Sequence, residues 1–384
     1  MNESECSARL LEMATNYVRE RVEPGRENSK NILSVVQYRS NIQCGADMLA
    51  ELTCLLDKNG RICSHFHPDH IDQNGSTVAA SLLASGKIMS QFESGISNGR
   101  VDTSQGGFRD TLEARLFGED YVKVIQGRPE MRVKYGALSL IGSNNGPAPR
   151  FGSCYFVFKQ EVMKRSTFCY GDSYNAPDEL GLEGMWEVIL SKLFNDSFDQ
   201  DGVLGMKLLR PPELYERMKK VLEGPVGNNW SFPALSNLNS YIEAQIHGPL
   251  TLEQDVEAIV IDPSFQNTDV FAAMKQIADK YNVKMVMHHG YSLHVKKVPN
   301  SFRGPSMPRV ASLVCQFASS STDNVFLTPF LIGQTRHEIT KSLSGELAKL
   351  LRAECHDLGA PTLTQLLKFL WHCLCNYGCA PVGR

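Results

Sequence analysis

Short β-prone runs separated by stretches of helical periodicity constrain this chain more than any other feature. The runs are RICSHF (61–66), KIMSQF (87–92), YGALSLIG (135–142), SCYFVFK (153–159), STFCY (166–170), YIEAQIHG (241–248), VEAIVID (256–262), KMVMHH (284–289) and SLHVKK (292–297). Gly, Pro or charged residues break each of them before it can become a long strand. Apolar residues recur at helical spacing over 5–22, 42–57, 178–195, 211–223, 268–281, 344–355 and 361–376, and Ser76 is placed to cap a helix through about 85. Mixed short strands with flanking helices predict an α+β fold. The expected organisation is a helical segment over 1–60, a catalytic domain over 61–345 with an inserted helical lobe at 174–235, and a helical tail over 346–384.

Composition excludes several classes. The 384 residues carry a formal net charge of −3 and are 42% hydrophobic and 21% charged, which is ordinary globular usage without the basic footprint that a nucleic-acid partner requires. No apolar run approaches the roughly 18 residues of a membrane-crossing helix. Eleven cysteines, an odd number scattered through a chain with no signal-peptide pattern, predict free thiols in a reducing compartment. A cytoplasmic protein is expected, or one delivered to a host cytosol by a route that uses no cleavable signal peptide. No GxGxxG or GxxxxGK[ST] stands in a strand-to-helix context, so neither a Rossmann nor a P-loop site is expected.

HFHPDH (65–70) has the spacing with which metallo-β-lactamase-like hydrolases begin a two-metal centre. On a strand His65 and His67 project to one face, with Asp69 and His70 just past the Pro68 turn. The second half of such a centre is missing, because no histidine occurs between His70 and His247. A metal-free polar site, or plain structural histidines, is the preferred reading, and a metal-dependent hydrolase is the alternative. In YIEAQIHG, Tyr241, Glu243, Gln245 and His247 share one strand face while Ile242, Ala244 and Ile246 share the other. An exposed edge strand would show the same alternation.

The order of parts resembles that of ADP-ribosyltransferases: a His-bearing first strand, a strand leading into FESGISNG, short central strands, and a late glutamate-bearing strand. HFHPDH, SQFESGISNG, KYGAL, APRFGSCYF, STFCYGDS, YIEAQIHGP, DVEAIVIDPSF and SFRGP together resemble the motif set of the CteC-like family of poly(ADP-ribose)-polymerase-like transferases, over about residues 61 to 310. The resemblance implies a split, mixed or antiparallel sheet core and NAD as co-substrate. It further implies transfer of ADP-ribose to a protein side-chain hydroxyl, with a threonine of ubiquitin as the first acceptor to test. It also implies an Asp–Glu catalytic pair. Glu243 fits the glutamate; Asp69 is the first choice for the aspartate and Asp172 the second. By the same resemblance His65, His67, Gln91, Gly95, Ser97, Asn98, Ser153 and Gln245 are candidates for holding NAD, although for Ser153 a place in the sheet is the stronger reading. A catalytically silent binding module of the same fold is the remaining alternative. The tail (362–381) is expected to dock on the body as an amphipathic helix.

Overall fold

The computed structural model describes residues 2–44, 47–96, 106–198, 202–225, 237–318, 325–357 and 362–379. Ten strands lie among them: β1 Ile62–Phe66, β2 Lys134–Leu138, β3 Cys154–Phe158, β4 Ser166–Tyr170, β5 Leu180–Leu182, β6 Ile242–Ile246, β7 Val256–Ile261, β8 Lys284–Met287, β9 Leu293–His294 and β10 Phe326–Leu327. The helices before β6 are α1 Glu3–Val22, α2 Arg26–Arg39, α3 Met48–Asn59, α4 Val78–Ser85, α5 Gln91–Ser94, α6 Phe108–Phe117, α7 Glu119–Ile125, α8 Glu187–Asp196 and α9 Pro211–Glu223. After it come α10 Leu252–Asp255, α11 Asp269–Tyr281, α12 Met307–Ala318, α13 Pro329–Lys341, α14 Glu346–Asp357 and α15 Leu363–Tyr377.

The first eight strands form one sheet in the order β5-β4-β6-β2-β1-β3-β7-β8, antiparallel throughout except for the β7–β8 pair. This is the expected α+β architecture with flanking helices. β6 is an interior strand between β4 and β2, so both faces of its alternating pattern are buried. Ile242, Ala244 and Ile246 enter the principal core with residues of α2, α3, α4, α8, α9 and α11. The opposite face is covered over β2 and β6 by α1, α6 and α7, whose Leu10, Phe117 and Tyr121 form a second cluster. α8 and α9, the helices of the expected inserted lobe, pack into the principal core.

Local chemistry explains several boundaries. Thr77, not Ser76, caps α4 through Ala80 N–H, and Gly86 closes it with φ 67°. KIMSQF does not form a strand: Ser90 caps α5 in a reciprocal pair with Glu93, and this local capping prevails over the β-propensity of Ile88 and Met89. Residues 178–195 begin as β5 and only then become α8, because Leu180–Leu182 pairs with β4. α12–α15, with β9 and β10, build a third cluster around Met307, Leu351, Leu366 and Trp371. α15 docks on the body, and Trp371 Nε1 donates to the carbonyls of Pro149 and Arg150 at 3.1 and 3.2 Å. All eleven cysteines are free, and among the described residues no helix is long and apolar enough to cross a membrane.

Candidate active site

The register brings the polar positions of the central strands to one sheet face. Glu243 pairs with Cys169 on β4 and with Ala137 on β2, and Ala137 pairs with Cys63 on β1. Gln245 likewise sits between Thr167 and Tyr135. His65 lies on this same face, two residues beyond Cys63.

Glu243 is 5% exposed. Its Oε1 accepts the Gln245 side-chain amide at 3.0 Å, and its Oε2 lies 3.5 Å from the Ser173 amide. Burial, followed by the charge of Asp172, pushes its carboxyl up to about 7. Asp172 caps the short 3-10 turn at Ser173–Asn175 and lies 3.7 Å from Arg150. Tyr241, 3% exposed, has a hydroxyl without a hydrogen-bond partner, and the Nε atoms of Arg109 and Arg150 also lack one. Arg109 stacks over the Tyr135 ring at 5.0 Å, bonds Gln91 Oε1 at 2.8 Å, and is close enough to Glu113 and Glu243 for both carboxylates to favour its charge.

A buried hydrogen-bond chain fixes this arrangement. Thr167 Oγ1 donates to Gln245 Oε1 at 3.1 Å and lies 3.2 Å from His247 Nε2, while His247 Nδ1 lies 2.9 Å from the Tyr121 hydroxyl. Thr167 has one proton, already given to Gln245, so His247 Nε2–H must donate to Thr167 and the Tyr121 hydroxyl to His247 Nδ1. Burial agrees with this neutral tautomer, lowering the His247 pKa to about 3. The Gln245 amide donates to Glu243 and to Cys169 Sγ (3.2 Å), so all its partners are protein groups. It positions Glu243.

The other sequence candidates fall elsewhere. His65 Nδ1–H donates to the Gly152 carbonyl at 3.0 Å and Nε2 accepts the Ala148 amide at 3.3 Å, so both nitrogens pin the loop before β3. A side chain at Gly146 would meet His65 Nε2 at 2.4 Å. Gly95 is the left-handed C-cap of α5 (φ 66°). Ser153, 2% exposed, has its hydroxyl 3.5 Å from His67 Nδ1. Ser97 and Asn98 lie outside the described residues.

Asp69 does not stand beside Glu243. It is 4% exposed at the rim, against α13: its carbonyl lies 2.5 Å from His337 Nε2, and a methyl placed on Gly333 would lie 1.4 Å from its Oδ2. Burial raises its carboxyl to about 6, opposed by the charges of His337 and Arg336. Asp172 is the aspartate that the fold brings to Glu243.

His67, Asp69 and His70 place one donor atom each within 4.8 Å of one another, the one such group among the described residues. Two features count against a metal there. The His67 and His70 rings are stacked with centroids 4.3 Å apart and an interplanar angle of 25°, so their in-plane lone pairs run side by side. Arg336 already sets a positive charge near both imidazoles and Asp69. A distinct cavity of about 170 Å³ opens over the far half of the same sheet face, floored by Cys63, Tyr155, Val157, Ala258 and Val260.

Sequence reasoning missed Arg109 and Arg303, passed over Arg150, and weighed His372 only as a less favoured zinc ligand with the neighbouring cysteines. Arg150 and Arg303 stand inside quoted motifs, APRFG and SFRGP, and were legible there; Arg109 carries no spacing signal.

A model of the family described as "Protein of unknown function (DUF3626)" matches residues 61–377, so the match runs on through α15. The chain is also similar to the Gene 2 protein of Mycobacterium phage L5, 29% identical over 180 residues, which are 47% of this chain and 59% of that protein.

Proposed function

The chain belongs to the DUF3626 family, and we propose that this member is an NAD-dependent protein mono-ADP-ribosyltransferase in which Glu243 and Asp172 are the catalytic carboxylates. The observation that carries the reading is their arrangement: a carboxylate 5% exposed on an interior strand, raised to about 7 by burial and by a second carboxylate. A polar rim of Tyr241, Arg109 and Arg150 with unpartnered atoms surrounds it. A buried carboxylate of raised proton affinity with a second carboxylate beside it is a signature of acid–base or cation-stabilising chemistry.

Cleaving the nicotinamide–ribose bond sends its electron pair out with neutral nicotinamide and leaves an oxocarbenium-like ribosyl cation. The leaving group needs no protonation, so stabilising positive charge is the main task. An ionised Glu243 hydrogen-bonded to a ribose hydroxyl performs it in a site that excludes water. An acceptor hydroxyl then forms the new C–O bond at the ribosyl carbon and gives its proton to a carboxylate; Asp172, with a side chain 23% exposed, is the one that an incoming protein chain could reach. The balance is NAD⁺ plus protein hydroxyl giving ADP-ribosyl protein, nicotinamide and H⁺.

The test is incubation with NAD labelled in the ADP-ribose half and ubiquitin as first acceptor, for wild type and Glu243→Gln. Label should move to protein in wild type and fall by at least the 10² to 10³ typical of a lost electrostatic stabiliser in the variant. Undiminished transfer by Glu243→Gln would overturn the assignment. The His67–Asp69–His70 group favours a second reading, the metal-dependent hydrolase, and metal analysis of the purified protein tests it.

A further inference from the structure

We infer that Arg150, Arg303 and His372 form an anion site that takes the phosphate groups of a nucleotide, beside the Asp172–Glu243 pair. The three residues come from distant parts of the chain and are drawn together by α15. Trp371 ties the helix to the backbone of Arg150, as described above. Phe369, one turn before His372, carries the Arg303 guanidinium over its ring at 5.6 Å, and Phe302 supports the same guanidinium at 5.1 Å. Cys373 Sγ bonds the Phe302 carbonyl at 3.7 Å, which fixes the Arg303 segment against the helix.

Part of their polar capacity is unspent, although Arg150 Nη1 donates to Asn239 Oδ1 at 2.5 Å. His372 is 2% exposed, and neither ring nitrogen has a hydrogen-bond partner; the Nε atoms of Arg150 and Arg303 lack one too. Each such buried atom is destabilising if left without a partner. Among the described residues Arg303 has no ion pair, and the Asp172 carboxylate near Arg150 is 3.7 Å away. Burial, then the charges of Arg303 and Arg150, drives the His372 pKa down to about 2, so the ring is neutral and offers one N–H. Two guanidinium groups close enough to feel each other's charge, with only the Asp172 carboxylate 3.7 Å from one of them, leave an excess of positive charge in a sheltered position, which favours an anion.

Guanidinium groups match phosphate oxygens in pairs, and two of them with one imidazole N–H suit a phosphate or diphosphate better than a single carboxylate. Arg150, whose charge reaches Arg303 and His372, also lies 3.7 Å from Asp172, so a ligand seated here would lie on the side of the Asp172–Glu243 pair. That the phosphates belong to a nucleotide rests on the transferase reading; the anion site does not.

Calorimetric titration of the full chain with ADP, pyrophosphate and inorganic phosphate at constant ionic strength is the experiment. Wild type should bind ADP or pyrophosphate saturably and inorganic phosphate more weakly. Arg303→Gln should bind at least ~10-fold more weakly, since a charged hydrogen bond is worth about 1.5–3 kcal/mol and 1.4 kcal/mol is tenfold. Arg303→Lys should recover part of that loss, and its unchanged thermal midpoint serves as the folding control. Equal ADP affinity in wild type and Arg303→Gln, or no binding of any of the three by wild type, overturns the site. Binding that depends on Arg303 without label transfer from NAD would sink the transferase reading alone. Transfer with ADP affinity and KM unmoved in Arg303→Gln would sink the anion site alone.

Discussion

Gln245 Nε2 donates to Glu243 Oε1 at 3.0 Å, two residues along the same face of β6, and this bond favours the ionised carboxylate against the effect of burial. Gln245→Met removes it without removing bulk. A hydrogen bond to a charged group is worth about 1.5–3 kcal/mol, which corresponds to roughly one to two pH units. The acid limb of kcat/KM for transfer, expected near pH 7 because the proposed reaction uses the ionised Glu243, should move up by about that much. A limb that stays in place would show that Gln245 does not hold this carboxylate.

Asp172→Asn should act in the opposite direction on the same limb. Its charge raises the Glu243 pKa, so its removal lets Glu243 ionise at lower pH, and the limb moves down. If Asp172 also takes the acceptor proton, the plateau rate should fall by about 10² to 10⁴. Asp69→Asn should move neither the limb nor the plateau, because Asp69 faces α13. A pH–rate profile of the three proteins separates these outcomes.

Gly333→Ala is expected to destabilise the protein by about 1–3 kcal/mol, as overpacking does. Alanine in place of an interior helix glycine ordinarily gains about 1 kcal/mol. Here the new methyl would lie 1.4 Å from Asp69 Oδ2, so the sign reverses. Asp69→Ala in the same chain should restore most of the loss. Denaturant midpoints of the two single variants and the double give the coupling directly.

Glu113 leaves a pH signature. Fully buried against Arg132 (2.7 Å), it is raised to about 7, chiefly by burial. Its folded form therefore holds a proton that the unfolded chain has released, and its contribution to stability is lost as pH rises from about 4.5 to about 7. Glu113→Gln removes this dependence. The stability of the variant relative to wild type should climb across that window by up to about 1.4 kcal/mol per pH unit. A flat difference in chemical denaturation at pH 5, 6 and 7 would count against the raised value.

Chelation should leave label transfer from NAD unchanged, since no step of the proposed reaction uses the His67–Asp69–His70 group. A stoichiometric metal in purified wild type that disappears in Asp69→Asn, together with loss of activity on chelation, would instead support the hydrolase.

The sequence made much of this fold readable because strand periodicity is local. STFCY and 211–223 became β4 and α9 with the bounds expected, and the alternation in YIEAQIHG placed Glu243 and Gln245 on one face. The alternation did not show that β6 is interior, since an edge strand and a strand covered by α1, α6 and α7 share the pattern and differ only in long-range packing. The choice between Asp69 and Asp172 was illegible for the same reason. Asp69 follows the first strand, but the Pro68 turn aims it at α13, an element that periodicity did not reveal. Asp172 reaches Glu243 only because β4 pairs with β6. Gln245 and His65 were read as ligand groups because residue type shows hydrogen-bonding capacity, but not whether that capacity is already used within the protein.

The clasp between Trp371 and the Pro149–Arg150 backbone joins segments 221 and 222 residues apart. A ribosome would have to release nearly all of the described chain before that clasp could close. If the proposed anion site at Arg150 needs it, a nascent chain halted ahead of α15 would carry Glu243 and Asp172 without that site.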